Sequence, residues 1–207
     1  MANNPGQSRV RQPRVWQRML SGRRLDLIDP SPLDIEIEDI AHGLARVARW
    51  NGQTHGRHIF SVAQHTVLVE RLAEALDPDI TQQTRLAVLL HDGAEYVVGD
   101  IISPFKAVLG DTYKDIEKRL LQAIHIRFGL PGRLPAPMTR AIKRADQIAA
   151  FYEATRLAGF DTTEALHFFG RPHPLPPDAE DMLAPWDADS AKTRFLERFS
   201  VVQAETR

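Results

Sequence analysis

With 207 residues, 43% of them hydrophobic and 26% charged, the chain is sized for one domain with a substantial core rather than for two independent ones. A formal net charge of -1 excludes a general polyanion binder, and no apolar run approaches the ~18 residues of a membrane helix, so neither a nucleic acid polymer nor a membrane is expected as a partner. Cysteine is absent, which removes disulfides, thiolate nucleophiles and thiolate metal sites together. Any metal must then be held by His, Asp and Glu, and a reducing cytoplasm is the expected compartment.

Charge is unevenly spread: residues 1–25 hold six arginines and no acid, leaving 20 basic against 27 acidic residues in the remainder. Pro5 and Pro13 interrupt any amphipathic helix there, and no apolar signal core follows. Residues 1–30 therefore read as a basic, partly extended arm folded over its own domain or over a neighbouring subunit, with Trp16 as a core plug or a subunit contact.

From Ile37 to Trp50, apolar Ile40, Ala41, Leu44, Val47 and Ala48 recur at three and four, behind acidic Glu36, Glu38 and Asp39, which suit a helix start. A second periodic segment runs from Phe60 to Leu76. A third runs from Thr81 to Val97, is apolar on nearly every side around Leu86–Leu90, and is expected to be the buried central helix. Pro104 marks a structured loop after Gly99. Ile116, Leu120, Ile124 and Phe128 step by four along a fourth helix that ends at Gly129. Pro137 suits the first turn of a fifth, striped by Ala141, Ile142, Ala145, Ala149 and Tyr152. Five prolines between Arg171 and Pro185 indicate an extended connection before a last helix. Period-two alternation is nearly absent, so the expected fold is all-α, with six or more helices around a central buried one. The expected organisation is an arm at 1–30, a helical core at 31–165, a proline-rich connection at 166–186 and a C-terminal helix at 187–207 packed on the core.

Ionisable side chains inside apolar helices are costly unless something compensates them. His91 and Asp92 follow Leu86-Ala87-Val88-Leu89-Leu90; His65 lies among Val62, Ala63, Val67 and Val69; Asp146 lies between Ala145 and Ala149. Helical bundles commonly build metal sites from such inward side chains on facing helices. Two imidazoles and two carboxylates can hold one divalent ion with positions left open. Glu95, three residues after Asp92 and four after His91, adjoins them on a helix, and Asp100 follows at the mouth. His55, Arg57 and His58 precede the helix of His65, and either line a phosphate pocket or begin a second metal site. His42, His125, His167 and His173 are poor ligand candidates, with His42 expected to be exposed.

The order His65, His91-Asp92, Asp146 resembles the HD-domain metal-dependent phosphohydrolases over roughly residues 37–160. Arg49-Trp50, His91-Asp92-Gly-Ala-Glu95, Gly99-Asp100, Ser103-Pro104-Phe-Lys106 and Lys143-Arg-Ala145-Asp146 look like the pattern of the bacterial 5'-deoxynucleotidases in that family. Asn51-Gly52-Gln53-Thr54 and Ser61-Val62-Ala63-Gln64-His65 look closer to a phage and bacterial branch that includes a deoxyadenosine triphosphate triphosphohydrolase. The resemblance implies that His65, His91, Asp92 and Asp146 ligate one divalent ion (Co, Mn, Zn, Ni, Fe or Mg). It also implies that Glu95 and Asp100 are catalytic, that Arg49 and Lys106 contact phosphate, that Trp50 walls the sugar or base, and that the chain is a homo-oligomer.

The residue types suit this chemistry by themselves. A phosphate ester resists attack because its oxygens are negative and water is a poor nucleophile, and a bound cation relieves both. Glu95 can orient or deprotonate water, Asp100 can protonate the leaving oxygen, and Arg49 and Lys106 can stabilise equatorial oxygens. The expected function is phosphate release from a small (deoxy)nucleotide of 5'-nucleotidase type. The alternatives are triphosphate release from a deoxynucleoside triphosphate and a non-catalytic nucleotide-binding sensor.

Overall fold

The computed structural model describes residues 14–204; the arm before Arg14 and the last three residues of the expected C-terminal helix lie outside them. What is described of the arm is a hairpin of β1 (Trp16–Arg18) and β2 (Arg24–Asp26), antiparallel with Trp16 opposite Asp26. Arg14, Arg18 and Arg24 place their guanidinium carbons 5.1, 5.5 and 4.4 Å from the centre of the half-buried Trp16 ring, which explains an indole among arginines. Leu25 is fully buried in the main core, and Asp39 accepts from the Ser21 backbone N–H and hydroxyl. The described part of the arm thus folds onto its own domain.

Apart from that hairpin the regular structure of the described residues is helical, as the periodicity indicates. The helices are α1 (Ile37–Leu44), α2 (Val62–Leu76), α3 (Gln82–Leu89), α4 (Glu95–Val98), α5 (Ser103–Leu109), α6 (Asp111–Arg127), α7 (Ala136–Arg156), α8 (Thr162–Phe169), α9 (Pro177–Glu180) and α10 (Ala188–Ala204). The central helix is α2, not the segment from Thr81: its residues 62–70 are buried on every side, and it packs against α7, α3 and α10. Ser61 starts it by accepting from the Gln64 N–H. Gln64, itself buried, donates its amide to the Met182 and Ala184 carbonyls (2.7 and 2.8 Å) and accepts from the Trp186 N–H (2.9 Å). These bonds fasten the proline-rich segment, which contains α9 rather than being extended throughout.

Three further departures have local causes. The first helix stops at Leu44, because Val47 and Arg49 spend their backbone groups across the loop: the Val62 N–H bonds to the Val47 carbonyl (3.0 Å) and the Arg49 N–H to the Phe60 carbonyl (2.8 Å). The third helix breaks after Leu89, where His91, Gly93 and Glu95 donate three residues back, to Val88, Leu90 and Asp92, tightening the chain into turns. His91 and Asp92 therefore stand in a turn after α3 rather than inside a helix. Pro104, read as ending helical structure, occupies the first turn of α5, where its missing N–H costs nothing.

Gly43 in α1 sets how closely α4 approaches: a Cβ there would lie 2.7 Å from the Tyr96 Cβ and 3.0 Å from the Tyr96 carbonyl. Gly43→Ala is expected to destabilise the chain by about 1–3 kcal/mol through overpacking, read as a lower urea midpoint at unchanged slope. Because α4 carries Glu95, the same substitution disturbs the site described next.

Candidate metal centre

His65, His91 and Asp146 each offer one ligand atom within 4.8 Å of the others, bringing α2, the turn after α3 and α7 to one point. Asp92 joins them: its Oδ2 lies 3.3 Å from His91 Nε2 and 3.5 Å from His65 Nε2, while Asp146 Oδ1 lies 3.3 Å from His65 Nε2. All four residues expected as ligands are therefore neighbours. The two rings stand 5.4 Å apart, centre to centre.

Each imidazole is held from behind through Nδ1. His91 Nδ1 bonds to the Val88 carbonyl (2.7 Å), and His65 Nδ1 to Glu153 Oε1 (2.5 Å). Nδ1 being so engaged, Nε2 of each ring faces the carboxylates, and although buried it makes no hydrogen bond there. Unsatisfied buried nitrogens are costly unless something binds them. Two donors sharing one tetrahedral ion at ~2.1 Å sit ~3.4 Å apart, close to the Nε2-to-carboxylate separations of 3.3–3.5 Å. Imidazole nitrogen with carboxylate oxygen suits a divalent transition metal, so the residues present fit such an ion.

The electrostatics agree. Burial opposes a charge on His65, and so does Arg49, but the Glu153 and Asp146 carboxylates outweigh both and lift the ring to about 10. Burial likewise works against an ionised Glu153, yet His65, Arg49 and the Trp50 N–H hold it down at about 2. Asp92 is kept below the ordinary range, its burial outweighed by His91, His65 and Arg49. This is a cluster of carboxylates that draws positive charge inward.

Glu153 is the residue sequence reasoning missed. Completely buried on α7, two turns after Asp146, it accepts from His65 with Oε1 and from Trp50 Nε1 (2.9 Å) and Arg49 Nε (3.4 Å) with Oε2. Its spacing of seven from Asp146, beside Phe151 and Ala154, is the signal that was available. Trp50 (φ 58°) and Asn51 (φ 50°) adopt the left-handed conformation without being glycine, a strained turn that these bonds help to hold.

Arg49 lies within the centre, 3.2 Å from Asp100 Oδ2 and 3.8 Å from Asp92 Oδ2. Glu95 is 3% exposed with Oε2 unbonded; burial and the neighbouring Asp92 and Asp100 carboxylates push its carboxyl up to about 9. Lys106 is 3.8 Å from Glu95 Oε1 but is engaged by Glu117 at 2.9 Å. The Trp50 ring packs against Phe160 and Phe169. Arg57 is exposed and bonds to none of these groups, and His55 and His58 are exposed beside it. Of the other histidines, His167 and His173 are exposed, His42 is half-buried rather than exposed, and His125 is buried without a hydrogen bond.

Cavities of about 310 and 440 Å³ adjoin the centre and share His91, Lys118 and Leu121 in their walls. The smaller also touches Asp92 and Glu95; the larger extends past His125 to Arg133 and Ile142. No helix among the described residues is long and apolar enough to cross a membrane.

Fold and site together define an all-α protein whose buried histidine and carboxylate cluster can hold a metal ion. No protein-family model matches the chain. It belongs to the family of the uncharacterised protein RCAP_rcc00048 of Rhodobacter capsulatus, with which it is 59% identical over 162 residues, 78% of this chain and 83% of that one. The uncharacterised protein YfdR of Escherichia coli is 36% identical over 115 residues, 56% of this chain and 57% of YfdR.

Proposed function

We propose that the chain is an HD-domain metal-dependent phosphohydrolase that releases phosphate from small (deoxy)nucleotides. The observation that carries the reading is the pair of buried Nε2 atoms, free of hydrogen bonds and facing Asp92 and Asp146, with the carboxyl of Glu95 buried beside them. A divalent ion held by His65, His91, Asp92 and Asp146 supplies Lewis acidity toward phosphate oxygens and water. The adjoining cavities, within or near the ~300–1,000 Å³ usual for small-molecule sites, give room for the organic part of a substrate.

The chain's own groups divide the remaining work. Arg49, already among carboxylates, is placed to exchange some of them for phosphate oxygens as charge develops there. Asp100 is committed to Arg49, whereas Glu95 has a free oxygen and an environment that favours a held proton. Glu95 is therefore the group that exchanges protons with water or the leaving oxygen. Lys106 contacts phosphate only after loosening from Glu117.

Metal-loaded protein incubated with a nucleotide panel, with phosphate, pyrophosphate and triphosphate separated, tests the reading. Phosphate from monophosphates is expected; triphosphate from deoxynucleoside triphosphates would move the chain to the other branch. Tight nucleotide binding without product would make it a sensor. Glu95→Gln is expected to lower turnover ~10²–10⁴-fold while metal content, measured by elemental analysis, stays unchanged.

A further inference from the structure

The Glu153 carboxylate is engaged at both ends, and its two oxygens serve different parts of the site. Oε1 faces His65 Nδ1 at 2.5 Å; Oε2 faces the Trp50 indole N–H at 2.9 Å and Arg49 Nε at 3.4 Å. It is wholly buried, and so is His65. We infer that Glu153 is a positioning residue that sets two things with one carboxylate: the His65 ring, with Nε2 turned to Asp92 and Asp146, and the turn, left-handed at Trp50 and Asn51, that brings the Arg49 guanidinium to Asp92 and Asp100. The inference rests on the metal reading of the site and adds that ion affinity and the placement of the anion-binding arginine depend on a residue that touches neither ion nor substrate.

The chemistry of the two ends gives the reason. An imidazole that ligates through Nε2 must carry its proton on Nδ1, and a carboxylate at Nδ1 secures that tautomer and strengthens the ligand. At the other end, a buried indole N–H and a guanidinium N–H both require an acceptor. A carboxylate accepts at both ends; an amide of the same size accepts at only one. In Glu153→Gln, if the oxygen stays on His65, the amide NH₂ opposes the Trp50 and Arg49 donors and the turn is released. If the oxygen stays on Trp50, the NH₂ donates to Nδ1 and moves the His65 proton to Nε2, where the cation binds.

Equilibrium dialysis of wild-type and Glu153→Gln chains against Mn²⁺ and Co²⁺, with the indole N–H resonances of the metal-free chains recorded by NMR, tests this. The expected result is a ten- to hundredfold loss of ion affinity, the usual cost of losing such a partner, where the amide turns its NH₂ to His65, and a displaced Trp50 indole resonance where it turns it to Trp50, with those of Trp16 and Trp186 unmoved in either case. Trp50→Phe, which keeps the His65 bond, is expected to hold ion affinity within about threefold of wild type. Equal affinity together with an unmoved Trp50 resonance in Glu153→Gln overturns the inference, as does a loss in Trp50→Phe as large as that in Glu153→Gln, which would reflect general loosening. A wild-type chain that binds no ion overturns the metal reading itself, which is a different result.

Discussion

Asp146→Asn is expected to abolish metal binding by the purified chain, and with it the proposed hydrolysis, while leaving the fold intact. Asp146 Oδ1 stands 3.3 Å from His65 Nε2, and its side chain is 39% exposed, so the amide is accommodated without a buried penalty. What changes is the loss of a charged oxygen at the proposed ion site. The fall in affinity is expected to exceed the ~10–100-fold that follows loss of an outer partner of a ligand, because here the ligand itself is weakened. His65→Ala goes further, since it also leaves Glu153 buried facing an empty space, and breaking a buried pair from one side costs about 3–5 kcal/mol. Elemental analysis after dialysis and a thermal melt separate the two: both variants lose metal, but only His65→Ala melts markedly lower. Retention of stoichiometric metal by Asp146→Asn would remove this residue from the ligand set.

Glu70→Ala is expected to lower the melting temperature by roughly 10 °C without touching the candidate metal centre. Glu70 is fully buried on α2, accepting from Arg85 Nε on α3 (2.6 Å) and from Arg198 Nε on α10. Both arginines also reach Glu74, at 3.2 and 3.0 Å. Taking Glu70 away leaves two guanidinium groups facing a cavity in the region where these three helices meet. Because Glu74 still engages both, the expected cost is near the lower end for a broken buried pair, about 3 kcal/mol, and ~2–4 °C per kcal/mol converts this to the stated shift. A change below about 2 °C would show that the pair adds nothing over its desolvation cost. Ion affinity, measured in the same variant, is expected to be unchanged.

Much of the centre was legible because it violated its surroundings. His65, His91, Asp92 and Asp146 are ionisable groups in apolar stretches, and burial makes such groups too expensive to keep without a partner. Glu95 and Asp100 followed from spacing. The all-α architecture followed from period, and even α8 had its signal, since Asp161 and Glu164 form a capping box that the proline-rich neighbourhood obscured. Glu70 and Glu153 were not legible in the same way: a glutamate in an amphipathic helix ordinarily faces water, and the partners that bury these two come from residues 15 to 128 positions away.

The amino-acid order alone determined which side chains could not be left in the core uncompensated, where most helices run, and that any ion must be held by imidazole and carboxylate. The tertiary structure decided that α2 is the central helix, that His91 and Asp92 sit in a turn, that Nδ1 of each histidine is occupied so that Nε2 faces the Asp92 and Asp146 carboxylates, and that Glu153 joins the Arg49 turn to His65. The division has a physical origin. Burial cost and helical period are properties of a residue and its near neighbours, and so can be read along the chain. The direction in which a ring nitrogen points is set by its bonding partner, and for His65 that partner lies 88 residues away.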